Sequence, residues 1–425
     1  MKIKKFILPV SILLFAMCAI GLQNGCNAPS ENSTEAPSPA PYDAHALAKN
    51  DPDAYVWHKF CEFFAYTDGS KHMVQWENWI NEDSVYDPPC DQARIWPSEP
   101  PKTRFNQPKH LTIMQGLRSV HGVFDTTLFA DLTLNNNPYF EEARINKPMF
   151  DYIVGNKLYL KHKVEAMAKA GTIDLPRASA ILKSQWKTIQ PTEKEKYYWH
   201  ELKVNNDSMV LIGLAAFHLV THELEDFVWS TFEHVDNPGR CDYIGCHDSF
   251  GFTKADVEPH KIDSLRYLAP AEMTQELKDL FAQKKIDDVF KNYRLKVAQT
   301  QYMVNDSTPT LNGSSVLEAN LVSTSSCISC HARATVNAQT GKPLSMFVEP
   351  NIVGDGTFEM GFLPNTSKGW HPECYVGRPI LADYSPTSSD GKDSTFHRTN
   401  FLWQLAQDAG SCDSTDNGAG NQSAQ

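Results

Sequence analysis

Apolar side chains recur at helical spacing from the start of the folded region. After an Asp51-Pro52 start, two groups of residues fall three or four positions apart, which predicts two helices. The first group is Val56, Trp57, Phe60, Cys61, Phe63 and Phe64, and the second is Val74, Trp76, Trp79 and Ile80. Aromatic stripes of this kind are more often packed in a core than arranged around a cofactor, so we interpret both groups as core.

Four later stretches have the pattern of strands. Residues 179–189, 209–221 and 226–235 are the clearest, and 293–304 follows after a helical region. The stretch 209–221 is apolar throughout, which is typical of a strand that is covered on both faces. The stretch 226–235 alternates in part, with aromatic residues among polar ones.

Helical periodicity lies between these strands. Residues 140–170 show it in mixed form, with Gly171 as the expected C-cap, and 271–292 form the clearest amphipathic helix. Residues 87–108 are crowded with prolines and are expected to be loop. Together the elements predict an α+β fold with mixed helices and a largely antiparallel sheet.

The N-terminus has the arrangement of an export signal. Lys2, Lys4 and Lys5 precede an apolar run over 6–22, and small and polar residues follow. Cys26 follows Gly25 as a lipid-modified cysteine does, although the preceding Gln-Asn departs from the usual approach to such a site. Ordinary cleavage near residue 28 is the alternative, and both predict the periplasm or the cell envelope.

The chain is acidic, with a formal net charge of −12 over 425 residues. Removing the three lysines of the signal would take this charge from −12 to −15. Such a chain lacks the basic footprint of a nucleic-acid-binding protein and favours a basic protein partner. An apolar content of 41% is sufficient for a sizeable core.

Cys327, Cys330 and His331 form a C-x-x-C-H run, which is the strongest chemical signal in the chain. Two thiols at this spacing add to the vinyl groups of one haem, and the histidine after them coordinates the iron. The run therefore predicts one covalently bound haem c, with His331 as the metal ligand. A structural disulfide or a redox-active dithiol is the alternative. Methionines of the following Gly/Pro-rich loops, Met346 and Met360, are candidates for the second axial position.

Cys241 and Cys246, followed by His247, are a weaker candidate. Four residues between the cysteines occasionally carry haem, whereas a disulfide needs only the two cysteines and an exported setting. We interpret the pair as a disulfide and keep a second haem as the alternative. With the signal, lipid and haem positions removed, six cysteines remain, enough for up to three disulfides: Cys61, Cys90, Cys241, Cys246, Cys374 and Cys412.

Several histidines and tryptophans have two interpretations. His218 and His222, with a nearby carboxylate, have the spacing of a metal site, but we interpret them as a hydrogen-bonded core residue and a turn residue. One of them, or His234, is an alternative distal haem ligand. Trp229 and Trp403 are interpreted as core packing rather than as the lining of a haem edge or substrate pocket.

Four stretches together resemble a family of large exported bacterial cytochrome c proteins with a single C-x-x-C-H near the C-terminus. They are FVWSTFEHVDNPGRCDYIGC (227–246), PTLNGSSVLE (309–318), SSCISCHARA (325–334) and NFLWQLA (400–406). The resemblance covers roughly 51–406. It implies haem c bound through Cys327 and Cys330, with His331 on the iron, in the periplasm or on a lipid anchor. It implies neither a substrate nor a distal ligand.

These inferences predict an electron-transfer protein of the cell envelope. A haem-dependent oxidoreductase or haem sensor with an open iron site is the alternative, because the chain is far longer than a haem carrier requires, and whether the chain is an enzyme stays open. The predicted organisation is a signal peptide 1–26, a disordered linker 27–50, an α+β module 51–305, a cytochrome c-like haem-binding region 306–410 and a disordered tail 411–425.

Overall fold

The computed structural model describes the chain from residue 43 to residue 410 with several gaps. The described residues are 43–69, 73–101, 139–205, 208–237, 247–253, 272–305, 308–317, 326–332, 334–337, 341 and 396–410. The predicted signal, most of the linker and the tail lie outside them, as do Met346 and Met360. Among the described residues, no helix has the length and apolar character needed to cross a membrane.

A seven-stranded antiparallel sheet forms the centre of the fold, which confirms the predicted α+β class. Its strands are β1 Ile80–Asn81, β2 Tyr139–Ile145, β3 Ala180–Thr188, β4 Trp199–Asn205, β5 Ser208–Thr221, β6 Val228–His234 and β7 Tyr293–Gln299. The order is β1-β2-β3-β5-β6-β7, and β4 pairs with the first part of β5. Two strand pairs lie apart from this sheet: β8 Met303–Asn305 with β9 Thr308–Pro309, and β10 Thr335–Asn337 with β11 Phe396–Arg398.

The helices are short and begin at recognisable signals. They are α1 Ala44–Asn50, α2 Pro52–Phe64, α3 Asp83–Tyr86, α4 Lys147–Gly155, α5 Lys161–Ala170, α6 Gln275–Lys284, α7 Cys327–His331 and α8 Trp403–Gln407. The start of α2 is as predicted, since the Asp51 side chain accepts a hydrogen bond from Ala54 N and a proline occupies the first turn. Gly171 ends α5 with a φ of 65°, which confirms the predicted C-cap.

Three predicted strands are confirmed as β3, β5 and β6, but some element assignments are wrong. Residues 140–145, predicted as helical, belong to β2, where Glu142 and Arg144 form a buried ion pair that hides the strand pattern. The predicted second helix is a 3-10 helix, Gln75–Asn78, followed by β1. The helix predicted over 271–292 ends at Lys284, because Lys285 adopts a left-handed conformation.

Two hydrophobic cores lie on opposite faces of the sheet. The first core is formed by α2, α6 and one face of the strands, including Trp57, Phe60, Phe64, Phe217 and Phe232. The second core is formed by the other face, α4, α5 and the C-terminal elements, including Trp229, Ile328, Phe401, Leu402 and Trp403. Strand β6 is buried along its whole length and contributes alternate side chains to each core. The C-terminal residues Phe401, Leu402, Trp403 and Leu405 thus pack against the second face.

Candidate functional site around the C-x-x-C-H helix

Helix α7 consists of the C-x-x-C-H run itself. Cys327, Cys330 and His331 are spaced i, i+3 and i+4, so they share one face of the helix, and all three are half-buried. Ile328 and Ser329, between them, are buried. The short helix therefore places both sulfurs and the imidazole on one side while its opposite side is anchored in the second core.

Gln299, the last residue of β7, holds the N-terminus of α7. The Ser326 side chain makes no capping hydrogen bond to the helix. Instead, Gln299 Oε1 accepts from Ile328 N at 3.2 Å, and Gln299 Nε2 lies 3.0 Å from Ser326 Oγ and 3.0 Å from Thr310 O. Gln299 is therefore a cap supplied by the sheet. Nothing in its sequence neighbourhood indicated this role, because its partner Ile328 lies 29 positions away.

The segment 310–317 crosses the sheet directly beside Cys327. The carbonyl oxygen of Asn312 receives a hydrogen bond from Thr231 Oγ1 at 2.6 Å and lies 3.5 Å from Cys327 Sγ. The Asn312 side chain donates in turn to the carbonyl of Trp229 at 3.0 Å. One buried asparagine thus ties the first cysteine of the run to β6.

Two buried side chains of the sheet, Lys296 and Glu233, hold the next residues of this segment. Lys296 Nζ donates to the carbonyl of Gly313 at 2.5 Å, and the Glu233 carboxylate accepts from the amide and the hydroxyl of Ser315. Burial raises the pKa of Glu233, and the neighbouring Lys296 ammonium and the Ser315 hydrogen bonds oppose that rise. Because both charged groups are buried in hydrogen-bonded positions, this face of the sheet is polar beneath the motif.

The tautomer of His331 follows from its contact with Phe401. His331 Nδ1 lies 2.8 Å from the carbonyl oxygen of Phe401. Since a carbonyl oxygen can only accept, Nδ1 carries the proton and donates, and the lone pair is on Nε2. The backbone that aims this carbonyl is unusual, because Asn400 and Phe401 have φ angles of 51° and 66°. Such left-handed non-glycine residues are costly and cluster at functional sites.

Trp229 packs against the imidazole ring of His331. The centroids of the two rings are 4.5 Å apart and the ring planes are inclined by 40°. The indole Nε1 donates to the carbonyl of Asp226 at 2.8 Å. Phe227, which also has a left-handed backbone with φ 64°, packs against both Trp229 and Phe401. Three strained residues therefore surround the contact between Trp229 and His331.

A cavity of about 450 Å³ opens beside these residues. Its lining includes Ala332, Tyr302, Phe401 and Lys169. Ala332 follows His331 in the chain, and Phe401 supplies the carbonyl that His331 contacts, so the cavity adjoins the motif. Its volume lies within the range of small-molecule sites in proteins.

The other histidines singled out in the sequence have different roles. His218 is a buried residue whose Nδ1 lies 2.9 Å from Thr231 Oγ1, and His222 follows β5 with Nδ1 3.3 Å from the Pro176 carbonyl. Their interpretation as a hydrogen-bonded core residue and a turn residue is confirmed. Within the described parts of the chain, no group of three or more His, Cys, Asp or Glu side chains is placed to hold a metal ion. A haem needs no such group, since its iron takes only one ligand from a C-x-x-C-H run.

His234 is a poor candidate for a distal haem ligand. Its Nε2 donates to the Lys196 carbonyl at 3.0 Å and its Nδ1 accepts from Asp236 N at 3.1 Å. Burial lowers the pKa of His234 to about 4, so the ring is neutral at physiological pH with both nitrogens engaged. It also lies five residues from Trp229 along β6, about 17 Å in an extended strand.

The structure shows the bonding state of some of the cysteines. Cys61 is a buried free thiol whose pKa is raised by burial, so the six candidate cysteines cannot form three disulfides among themselves. Cys90 is disulfide-bonded. Cys327 and Cys330, both within the described residues, are thiols and not joined as a disulfide. The remaining candidates lie outside the described residues: Cys241, Cys246, Cys374 and Cys412.

His247, the third member of the weaker candidate, is described without its two cysteines. Its Nε2 lies 3.5 Å from a carboxylate oxygen of Asp53. Burial raises the pKa of Asp53, and the neighbouring His247 opposes that rise. The structure thus gives His247 an acidic neighbour and leaves the choice between a disulfide and a second haem untouched.

Comparison with known proteins identifies no relative of this chain. No protein-family model, no curated protein and no solved structure matches the chain.

Proposed function

We propose that this protein is a c-type cytochrome that acts in electron transfer in the cell envelope. One haem c is bound covalently through Cys327 and Cys330, with His331 as an axial ligand. The observation that carries this proposal is the hydrogen bond from His331 Nδ1 to the Phe401 carbonyl, because it fixes the tautomer with its lone pair on Nε2, the form in which an imidazole binds iron. The common helix face of the two cysteines and the histidine supports it.

The chemistry of attachment is compatible with the two thiols. Cys327 and Cys330 would hold the haem through thioethers: each S–H would add across one vinyl C=C bond, and no group would leave. Neither an oxidant nor a reductant would be needed, because both cysteines are thiols. Gln299 and Asn312 hold the helix and the first sulfur in the positions that this attachment would use.

When bound, the haem supplies reversible one-electron chemistry. The residues of the chain set its surroundings. The Phe401 carbonyl orients the His331 ring, and Trp229 packs against one side of the imidazole. The proposed compartment and partner follow from the N-terminal export pattern and the acidic charge: a periplasmic or lipid-anchored protein that meets a basic redox partner.

Mass and absorption spectra of the purified protein test the proposal. Expression in a host that matures c-type cytochromes should add the mass of one haem, and the oxidised and reduced protein should show a Soret band. Replacing Cys327 and Cys330 by serine should remove the covalent mass, and His331→Ala should alter the Soret band. Thr335→Ala, close to the motif but outside it, is the control and should keep both. A colourless protein of unmodified mass from that host would refute the proposal.

A haem-dependent oxidoreductase or sensor is the second candidate, and the 450 Å³ cavity beside the motif favours it. The two functions differ in whether a side chain of the protein would occupy the sixth coordination position of the iron. An electron carrier of the type proposed is expected to be six-coordinate, so carbon monoxide added at neutral pH should leave its reduced spectrum unchanged. Rapid formation of a carbon monoxide complex would instead favour the second candidate.

A further inference from the structure

The contact between Trp229 and His331 has a consequence for electron transfer. The indole is almost completely buried, with 2% of its surface exposed, and its centroid is 4.5 Å from the imidazole centroid. The π system of the tryptophan thus lies next to the ring that, in the proposed function, binds the iron. Resting on that function, we infer that Trp229 carries electrons between the haem and the protein surface on the His331 side.

The chemistry of the surrounding rings singles out Trp229. Among the described residues, two further aromatic rings pack against it, those of Phe227 and Phe401, with centroids 5.8 Å and 6.1 Å away. The π system of an indole is larger than that of a phenyl ring and couples more strongly to a neighbouring ring, so an electron tunnels through it more readily and the ring itself is not oxidised. Trp229 is therefore the ring of this cluster that is suited to mediate the transfer, and the two phenylalanines hold it in place.

Trp229 also has a short connection to the surface. Its Nε1 donates to the carbonyl of Asp226 at 2.8 Å, and Asp226 is a half-buried residue of the turn between β5 and β6. The preceding residue, Glu225, is exposed. One ring contact and one hydrogen bond thus link His331 to an accessible turn. Each transfer moves a single electron: a ferrous haem becomes ferric, a one-electron acceptor protein is reduced, and no atom is exchanged.

The experiment uses the full-length, haem-loaded protein and three substitutions. Trp229→Phe keeps an aromatic ring but reduces the π system, and Trp229→Leu removes it. Trp403→Phe is the matched control, because Trp403 is another buried indole of the second core. Stopped-flow mixing with a basic soluble cytochrome c, in the direction set by the measured midpoint potentials, gives the rate of electron transfer.

We expect Trp229→Phe to slow the transfer at least tenfold and Trp403→Phe to change it less than twofold. Trp229→Leu should slow it further. Midpoint potentials and Soret spectra should be the same in all four proteins, since the iron ligands are unchanged. Near-ultraviolet circular dichroism checks that each variant retains its fold.

A second readout does not depend on the haem. The emission of an indole changes when a ring that it touches is removed, so in the haem-free Cys327→Ser/Cys330→Ser protein His331→Ala should change the tryptophan fluorescence. The same substitution should have no effect in a Trp229→Phe background. A change of equal size in both backgrounds would show that the ring contact is absent and would overturn the inference.

Three further outcomes contradict it, and the last of them is shared with the proposed function. Equal rates for Trp229→Phe and Trp403→Phe would show that Trp229 only packs. A shifted midpoint potential in Trp229→Phe would show that this residue acts through His331 instead of carrying electrons. If the protein carries no haem mass at all, the proposed function fails first, and the role of Trp229 fails with it.

Discussion

The two faces of the central sheet are packed in different ways. On the first face many aromatic rings pack against one another. Phe60 stacks on Phe64 with 4.4 Å between the ring centroids, and its centroid is 5.1 Å from that of Phe232. On the second face, apolar packing is interrupted by buried polar groups, such as Glu233 and Asn312, that are hydrogen-bonded across elements. The C-x-x-C-H helix lies on this second face.

This difference bears on both stability and function. The rings around Phe60 stabilise the fold by burial, and the first core also contains buried hydrogen bonds, such as Trp57 Nε1 to Asp248 at 3.0 Å. Buried polar groups cost free energy unless each one is paired. On the second face, hydrogen-bonded groups position Cys327 and His331. Substitutions on the first face should therefore change stability without changing the proposed haem attachment, whereas substitutions of the groups that position the motif should lower both.

The largest effect is expected from Phe60→Ala. Phe60 is fully buried and contacts six aromatic rings, so its truncation leaves a cavity in the first core and should lower the free energy of unfolding by about 3–5 kcal/mol. Urea denaturation followed by circular dichroism measures the loss. Met209→Ala, at an exposed apolar side chain, is the control and should cost less than about 0.5 kcal/mol. Loss of covalent haem from folded Phe60→Ala protein would contradict the separation of the two faces.

Glu82→Gln tests a buried acid beside the second core. Burial raises the pKa of Glu82 to about 8, with nearby Asp408 adding to the rise and a hydrogen bond from Gln404 opposing it. Because the folded pKa lies above the unfolded value, the stability from the neutral acid is fully present below about pH 4.5 and is lost as pH rises toward 8, on the order of 1 kcal/mol per pH unit.

The pH dependence of unfolding checks this prediction. Urea midpoints measured between pH 5 and pH 8.5 should fall with pH in the wild-type protein and should fall less steeply in Glu82→Gln, where Asp248, whose pKa burial raises to about 7, still contributes to the slope. Glu201→Gln, at an exposed acid, is the matched control and should leave the wild-type slope intact. An unchanged slope in Glu82→Gln would show that Glu82 does not titrate in this range.

Gln299→Ala should weaken the site more than the fold. The substitution leaves the amide of Ile328 without its partner and removes the hydrogen bonds from Gln299 to Ser326 Oγ and to the Thr310 carbonyl, which costs about 1–3 kcal/mol for buried groups. Since these bonds hold the start of α7, the fraction of chains with covalent haem should also fall, as measured by intact mass. Gln301→Ala, at an exposed glutamine two residues further on, is the control. Full haem occupancy in Gln299→Ala would show that Gln299 has no role in haem attachment.

The smallest effect is expected at Lys285, outside both cores. Lys285 ends α6 in a left-handed conformation with φ 55°, where glycine has no steric cost. Lys285→Gly should therefore stabilise the protein by about 0.5–1 kcal/mol in thermal unfolding. Lys284→Gly, within the helix, is the control and should destabilise it by a similar amount. The left-handed Phe401 should behave differently, because glycine there also removes a buried ring.

Much of the sheet could be predicted from local pattern, and the exceptions have a physical cause. Strands β3, β5 and β6 are apolar or alternate, so their pattern is visible in the sequence. Strand β2 contains Glu142 and Arg144, and charged residues argue against the prediction of a buried strand. Arg144 is nevertheless buried, since it pairs with Glu142 and donates to the carbonyls of Glu77 and Trp79. Local pattern cannot reveal partners that lie more than 60 positions away.

The candidate site shows the same limit. Cys327, Cys330 and His331 are recognisable because their chemistry depends on spacing along the chain. The sequence by itself determined that these three residues can share one helix face. Only the tertiary structure decided what surrounds them: Gln299 at the start of the helix, Trp229 against the imidazole and the Phe401 carbonyl on His331 Nδ1. The reason is physical, because adjacency along the chain follows from covalent bonds, whereas a ring's neighbours depend on how distant strands and turns pack together.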